Sequence, residues 1–200
     1  MAIPIRGDLT PILLLKAICD LPGKNAGAAF CRNVWDRSAV CSRRAWAEEP
    51  PRWRTRPPRD AAPIVQSHQP LDLLVFLLGT NDMKNTYHAS VADIRRGMEL
   101  VLQAALCPYA WDTRKPPKML LISPTYIYDR GVHDFIDAAS AEKSLHLAAH
   151  YEQLSKDYGC AFLDAAQVAA PSEWEGLHLD KKGHAALGRA AAEAVRRLMK

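Results

Sequence analysis

The sequence predicts a three-layer α/β domain over residues 60–200, a parallel sheet with helices on both faces. Three observations predict it. Short, nearly continuous apolar runs recur at Leu71 to Leu78, Lys118 to Ser123 and Cys160 to Leu163, as expected of strands buried on both faces. Segments of helical period separate these runs, and strands that alternate with helices pair in parallel. A chain of 200 residues with 48% hydrophobic content is also long enough and apolar enough to bury one full core of this kind.

The elements follow in order. Leu71 to Leu78 contains one charged residue, Asp72, and reads as the first buried strand. Ser90, with Asp93 three residues later, makes a capping box, and Val91, Ile94, Met98, Val101 and Leu102 then share one face of about three helical turns. Lys118 to Ser123 is a second strand, closed by Pro124. Ser140 to Tyr158 is a helix ended by Gly159, and Cys160 to Leu163 a short third strand. The last helix starts near Lys181. Leu187, Ala191, Ala194, Val195 and Leu198 form its apolar face, and Arg196, Arg197 and Lys200 sit at the negative end of its dipole. Ligands of such a sheet bind beyond the carboxyl ends of the strands.

Residues 1–59 read differently. The first 60 residues hold seven of the 14 prolines, three of the five tryptophans and three of the five cysteines. Arg43 to Arg59 alternates Arg, Trp and Pro with neither helix nor strand period. These 60 residues also carry eleven Lys and Arg against six Asp and Glu, which accounts for the whole net charge of +4. The basic balance therefore belongs to one segment and does not point to a nucleic-acid partner. The cysteines form neither a close metal-ligand pair nor a regular disulfide framework, so no metal is expected and a reducing, cytoplasmic setting is. The apolar run from Pro11 to Ile18 is interrupted by Lys16, lacks the charged n-region and cleavage pattern of a usual leader, and is too short to span a bilayer. No membrane partner is expected.

Chemistry begins where the first strand ends, at Gly79-Thr80-Asn81-Asp82. Polar side chains at the carboxyl end of a buried strand can aim donors into the crevice, and the Asn81 amide is the candidate donor. The same four residues are also ordinary turn formers. A second signal is Glu175-Gly176-Leu177-His178, in a loop just before the final helix. A carboxylate three residues ahead of a histidine can turn back and hold the ring in one tautomer, which is the geometry of a base and its orienting acid. His146, His150 and His184 match no pattern and read as surface residues of helices, and Asp180 reads as the cap of the last helix.

On these residues the stretch from about Asp60 to Lys200 resembles the SGNH (GDSL-like) hydrolases. Leu78-Gly79-Thr80-Asn81-Asp82 is similar to the family's third sequence block, and Glu175 to His178 to its fifth, Asp-x-x-His. Leu78 to Lys84 is most similar to the branch that holds arylesterases, acyltransferases and lysophospholipase-like members. The resemblance implies a flavodoxin-like sheet and a cofactor-free serine esterase acting on small-molecule carboxylic esters. It assigns His178 as general base and then acid, Glu175 as the group that orients it, and Asn81 as a donor of the oxyanion hole. Glu175 departs from the family's Asp, but its longer side chain can still reach an imidazole.

The family's first block, Gly-Asp-Ser at the end of the first strand, is missing: Gly7-Asp8-Leu9 has leucine at the place of the nucleophile. The second block, with its oxyanion-hole glycine, is missing too. The genetic code explains both losses at once. Met1 to Asp8 can be encoded so that the neighbouring frame reads Phe-Gly-Asp-Ser-Asn-Thr-Trp-Gly, and Arg43 to Arg56 so that it reads Glu-Glu-Gly-Leu-Gly-Gly-Arg-Thr-Thr-Ala-Leu-Glu-Asp-Pro. Residues 1–59 are therefore read as an aberrant, out-of-frame segment, with loss of the N-terminal strand and of activity as expected consequences. A non-catalytic flavodoxin-like binding module and a pseudogene product are the competing readings. A homo-oligomer is compatible with the sequence.

Overall fold

The computed structural model describes residues 12–16, 61–68, 70–110 and 115–200. Among these residues four parallel strands lie in the order β1 (Ile12–Lys16), β2 (Leu73–Leu77), β3 (Lys118–Ser123) and β4 (Ala161–Asp164). The helices are α1 (Ala61–Ser67), α2 (Val91–Ala110), α3 (Ala138–Asp157) and α4 (Lys181–Leu198). The α/β class and the helices on both faces are as the sequence predicts.

One expectation is overturned. The sequence predicts that residues 1–56 supply no strand to one edge of β2, yet Ile12 to Lys16 run parallel beside it, Ile12 opposite Leu73 and Lys16 opposite Leu77. The physical reason lies in the sequence. Ile12-Leu13-Leu14-Leu15 is a short continuous apolar run after a proline, which is the pattern of a strand in a parallel sheet as much as of a failed membrane span. Gly7 to Leu9, Ser38, Ser42 and Arg43 to Arg59 lie outside the described residues.

Alternation along the strands divides the core into two layers. Leu74, Phe76, Met119 and Leu121 face one side, packing with Val65 of α1, Ile94, Met98 and Leu102 of α2, and Leu147, Tyr151 and Leu154 of α3. Leu73, Val75, Leu120 and Ile122 face the other, where Leu187 and Ala194 of α4 cover them. This is the period-two pattern of a sheet filled on both faces. Among the described residues no helix is long and apolar enough to cross a membrane.

The caps explain where the helices begin. Ser90 and Asp93 form the reciprocal pair: the Asp93 backbone N–H donates to Ser90 Oγ at 3.1 Å, and the Ser90 N–H donates to Asp93 Oδ2 at 3.1 Å. Asp137 Oδ1 accepts from the Ser140 N–H at 2.8 Å to start α3, and Asp180 Oδ1 accepts from the Gly183 N–H at 2.7 Å to start α4. The last of these places Glu175 and His178 in the loop that runs from β4 to α4, beyond the carboxyl end of the sheet.

Candidate active site

The loop that carries Glu175 and His178 is closed by its own backbone. The Ser172 N–H donates to the His178 carbonyl at 2.7 Å, and the Gly176 N–H donates to the Ser172 carbonyl at 2.8 Å. Tyr128, in the loop after β3, straps it to the domain by donating its N–H to the Gly176 carbonyl at 2.8 Å. Gly176 has φ +75°, and a Cβ there would run into the Tyr128 carbonyl oxygen. Only glycine allows that approach.

Within this loop Glu175 turns back on His178. The His178 backbone N–H donates to Glu175 Oε1 at 2.6 Å, and the ring Nδ1 lies 2.8 Å from Oε2. A carboxylate only accepts, so the ring nitrogen is the donor and the proton sits on Nδ1. Burial alone would push the Glu175 carboxyl up, but bonds from the His178 ring, the His133 ring and the His178 backbone, with the charge on His178, outweigh it and hold the carboxyl below its usual range. His178 Nε2, on the far edge of the ring, is a buried atom without a hydrogen-bond partner among the described residues. An imidazole fixed on one side and open on the other is set to move a proton at Nε2.

Asn81 stands at the carboxyl end of β2, two strands over from β4, in the 3-10 turn Asn81–Met83. Gly79 makes the turn possible: its φ is +115°, and a Cβ would approach the Tyr151 hydroxyl to 2.7 Å. That hydroxyl donates to the Leu78 carbonyl at 3.2 Å. Both sequence-predicted sites thus lie at the same end of the sheet, though Asn81 and the Glu175–His178 pair come from different loops.

One residue of the cluster has no sequence signal. His133 Nε2 lies 3.0 Å from the same Glu175 Oε2, and its ring meets that of His178 edge to face, with centroids 6.0 Å apart. The two residues are 42 positions apart, so only the fold unites them. His133, Glu175 and His178 also place one ligand atom each within 4.8 Å of one another, close enough to surround a divalent ion. The hydrogen bonds to the carboxylate account for their convergence without one. His146 and His150 lie on α3 and His184 on α4, and His146 Nε2 is 2.8 Å from Glu142 Oε1 on its own helix.

The other polar pairs are structural. Ser123 Oγ donates to Asp164 Oδ1 at 2.9 Å, joining the ends of β3 and β4, and Cys160 is pushed up to about 11 by burial, which leaves it a poor nucleophile. An open depression of about 450 Å³ runs along the start of α3 between Ile127, Arg130, Ala141 and Leu145, and it includes none of the three clustered residues.

Comparisons with solved structures bear on this geometry. The aryl esterase of M. smegmatis is 30% identical, with a TM-score of 0.62, over 70% of this chain and 70% of that one. A carbohydrate acetylesterase family member from Sinorhizobium meliloti is also 30% identical, with a TM-score of 0.62, over 70% of this chain and 68% of that one. Another solved chain is 33% identical with a TM-score of 0.63, and the match spans 64% of its length, less than two thirds. No protein-family model matches the chain, and none of the curated proteins does.

Proposed function

The chain belongs to the SGNH hydrolase family, and on that premise we propose that its site is built to hydrolyse carboxylic esters by the serine route. In that route a serine hydroxyl attacks the acyl carbon while His178 Nε2 takes its proton, and the carbonyl oxygen becomes an oxyanion that the Asn81 amide stabilises. Collapse expels the alcohol, which leaves with the proton from His178. Water then attacks the acyl-enzyme with His178 as base, releasing the carboxylic acid and restoring the serine. Glu175 holds the Nδ1–H throughout, so that Nε2 is the nitrogen that takes and returns the proton. The observation that carries this reading is the His178 imidazole, bonded to Glu175 at 2.8 Å on one edge with a buried Nε2 on the other.

The nucleophile is the part the written sequence does not supply: no Gly-Asp-Ser block is present, and Gly7-Asp8 is followed by Leu9. We read residues 1–59 as translated one nucleotide out of register on the strength of the two blocks that the neighbouring frame restores, although Ile12–Lys16 within them pairs with β2. We read the chain as written as nearly inactive: it keeps the Asn81 and binding contributions, part of the residual of roughly 10³–10⁴ over water that triad enzymes retain, and loses the covalent route. The same leucine favours a second reading, a binding module that has given up catalysis. The solved relatives are named an aryl esterase and a carbohydrate acetylesterase family member, and p-nitrophenyl acetate, an aryl ester of acetate, is the first substrate to try.

The test compares this chain with one translated in the shifted frame up to about Arg56. The first should stay near background, and the second should turn over and be inactivated by one equivalent of a serine-directed phosphonate. A folded, frame-restored protein that neither hydrolyses the ester nor takes up the phosphonate makes the binding module the better reading. Turnover by the chain as written that the phosphonate abolishes would refute its proposed inactivity.

A further inference from the structure

We propose that His133 is a positioning residue of this site, holding the Glu175 carboxylate, and through it the His178 ring, in one orientation. The inference rests on the esterase reading for the role of His178, but its geometry is independent of it. Glu175 has one more rotatable bond than the aspartate usual in the family, and two of its three donors come from His178 itself, at 2.6 and 2.8 Å. Those two bonds lock the acid to the base and leave the pair to move as one. The third donor, His133 Nε2 at 3.0 Å, comes from the loop between β3 and α3. It ties the carboxylate to the body of the domain.

His133 is itself braced. Its ring stacks on Phe135, with centroids 5.0 Å apart and planes 24° apart, and the Lys84 ammonium lies 4.5 Å from the centre of the Phe135 ring. Asn85 donates its backbone N–H to the Phe135 carbonyl at 3.1 Å and its side-chain amide to the Asp134 carbonyl at 3.2 Å. Lys84 and Asn85 directly follow the Asn81–Met83 turn. A continuous set of contacts therefore runs from the Asn81 turn through Phe135 and His133 to Glu175 and His178. A second imidazole at this place supplies the fixing that the longer acid gives up, and it joins the two loops whose relative placement sets the distance between base and oxyanion donor.

The geometry requires His133 to carry its proton on Nε2 and His178 on Nδ1. Two-bond proton–nitrogen correlation spectra of the full chain with ¹⁵N-labelled histidine, recorded at neutral pH, read both tautomers directly. The expected result is a single tautomer for each ring as stated. His133→Phe, which keeps a ring for Phe135 to stack on but has no donor, should give His178 a mixed-tautomer pattern, whereas His133→Gln, which keeps an N–H donor, should preserve the single one. A His133 Nε2 without a proton in the unaltered chain overturns the proposal, and so does an unchanged His178 pattern in a folded His133→Phe protein. If that variant does not fold, the unaltered chain and His133→Gln still decide. None of these spectra needs turnover, so an ester assay that fails leaves the positioning role standing, and tautomers that disagree leave the esterase reading to its own assay.

Discussion

Two neighbouring side chains, Asn81 and Asp82, sit in the same turn and serve opposite ends. In the proposed reaction Asn81 offers an amide to a developing negative charge. In a frame-restored enzyme Asn81→Ala should lower kcat by about 10²–10³ with little change in KM, as loss of one oxyanion donor does, and steady-state kinetics on p-nitrophenyl acetate would show it. A change confined to KM would make Asn81 a ground-state binder instead. Asp82 has its carboxyl taken out of water, and burial pushes it from 3.8 to about 6, against the smaller effects of its own backbone N–H and of Lys84. The sign is therefore destabilising at neutral pH: between 3.8 and about 6 the unfolded chain gives up this proton before the folded one does, so stability falls as pH rises and the penalty is complete above about 6. Asp82→Asn should raise the thermal midpoint near neutral pH and lose most of that gain below about pH 4. An equal gain at both would assign the effect to shape and not to charge. Glu175 runs the other way. Its lowered folded value adds stability above the ordinary 4.5 that is lost as pH falls through the lowered one.

At the scale of elements, the glycines separate backbone need from mere tolerance. Gly176→Ala should destabilise the domain by about 1–3 kcal/mol, because a side chain at φ +75° is strained and would also meet the Tyr128 carbonyl. Gly97→Ala, in the interior of α2 with open space around its Cβ, should stabilise by about 0.5–1 kcal/mol. Urea melts of the two variants check both signs together, and a harmless Gly176→Ala would mean that the Tyr128 strap is not needed. The same elements show how far the sequence could be read. β3 was legible to the residue because Lys118 starts an unbroken apolar run and Pro124 ends it, and α4 because Asp180 is a cap at the right offset. The sequence pattern starts α3 at Ser140, two residues late, because the capping Asp137 lies ahead of the periodic run. α1 was not foreseen: it has seven residues with Pro63 among them, too short for a period to show. Glu175 and His178 were legible because their bond closes over three residues, so local spacing encodes it. His133 was not, because its bond to Glu175 spans 42 residues and exists only once β3, β4 and the loops after them are in place.

At the scale of the whole molecule, the first strand tests how the N-terminal segment and the rest of the chain form one sheet. β2 is nearly all buried and carries apolar side chains on both faces, so its free edge would be an open template for other chains. β1 lies on that edge, and β3 on the other. In a parallel strand successive N–H groups point to opposite sides, so of Leu13 and Leu14 one donates toward β2 and the other away from it. Proline at the first kind of position deletes a ladder bond, whereas at the second, on an edge strand, it deletes none. The two single variants Leu13→Pro and Leu14→Pro should therefore differ: one should lower stability by about 1–3 kcal/mol more than the other, the usual cost of leaving a buried carbonyl unpaired. Urea unfolding followed by the far-ultraviolet signal measures the difference. Equal and large losses would mean that a further strand pairs with the outer side of β1, and equal and negligible ones that Ile12 to Lys16 do not pair with β2 in solution, in which case β2 is left as an exposed edge and the protein should aggregate as its concentration rises.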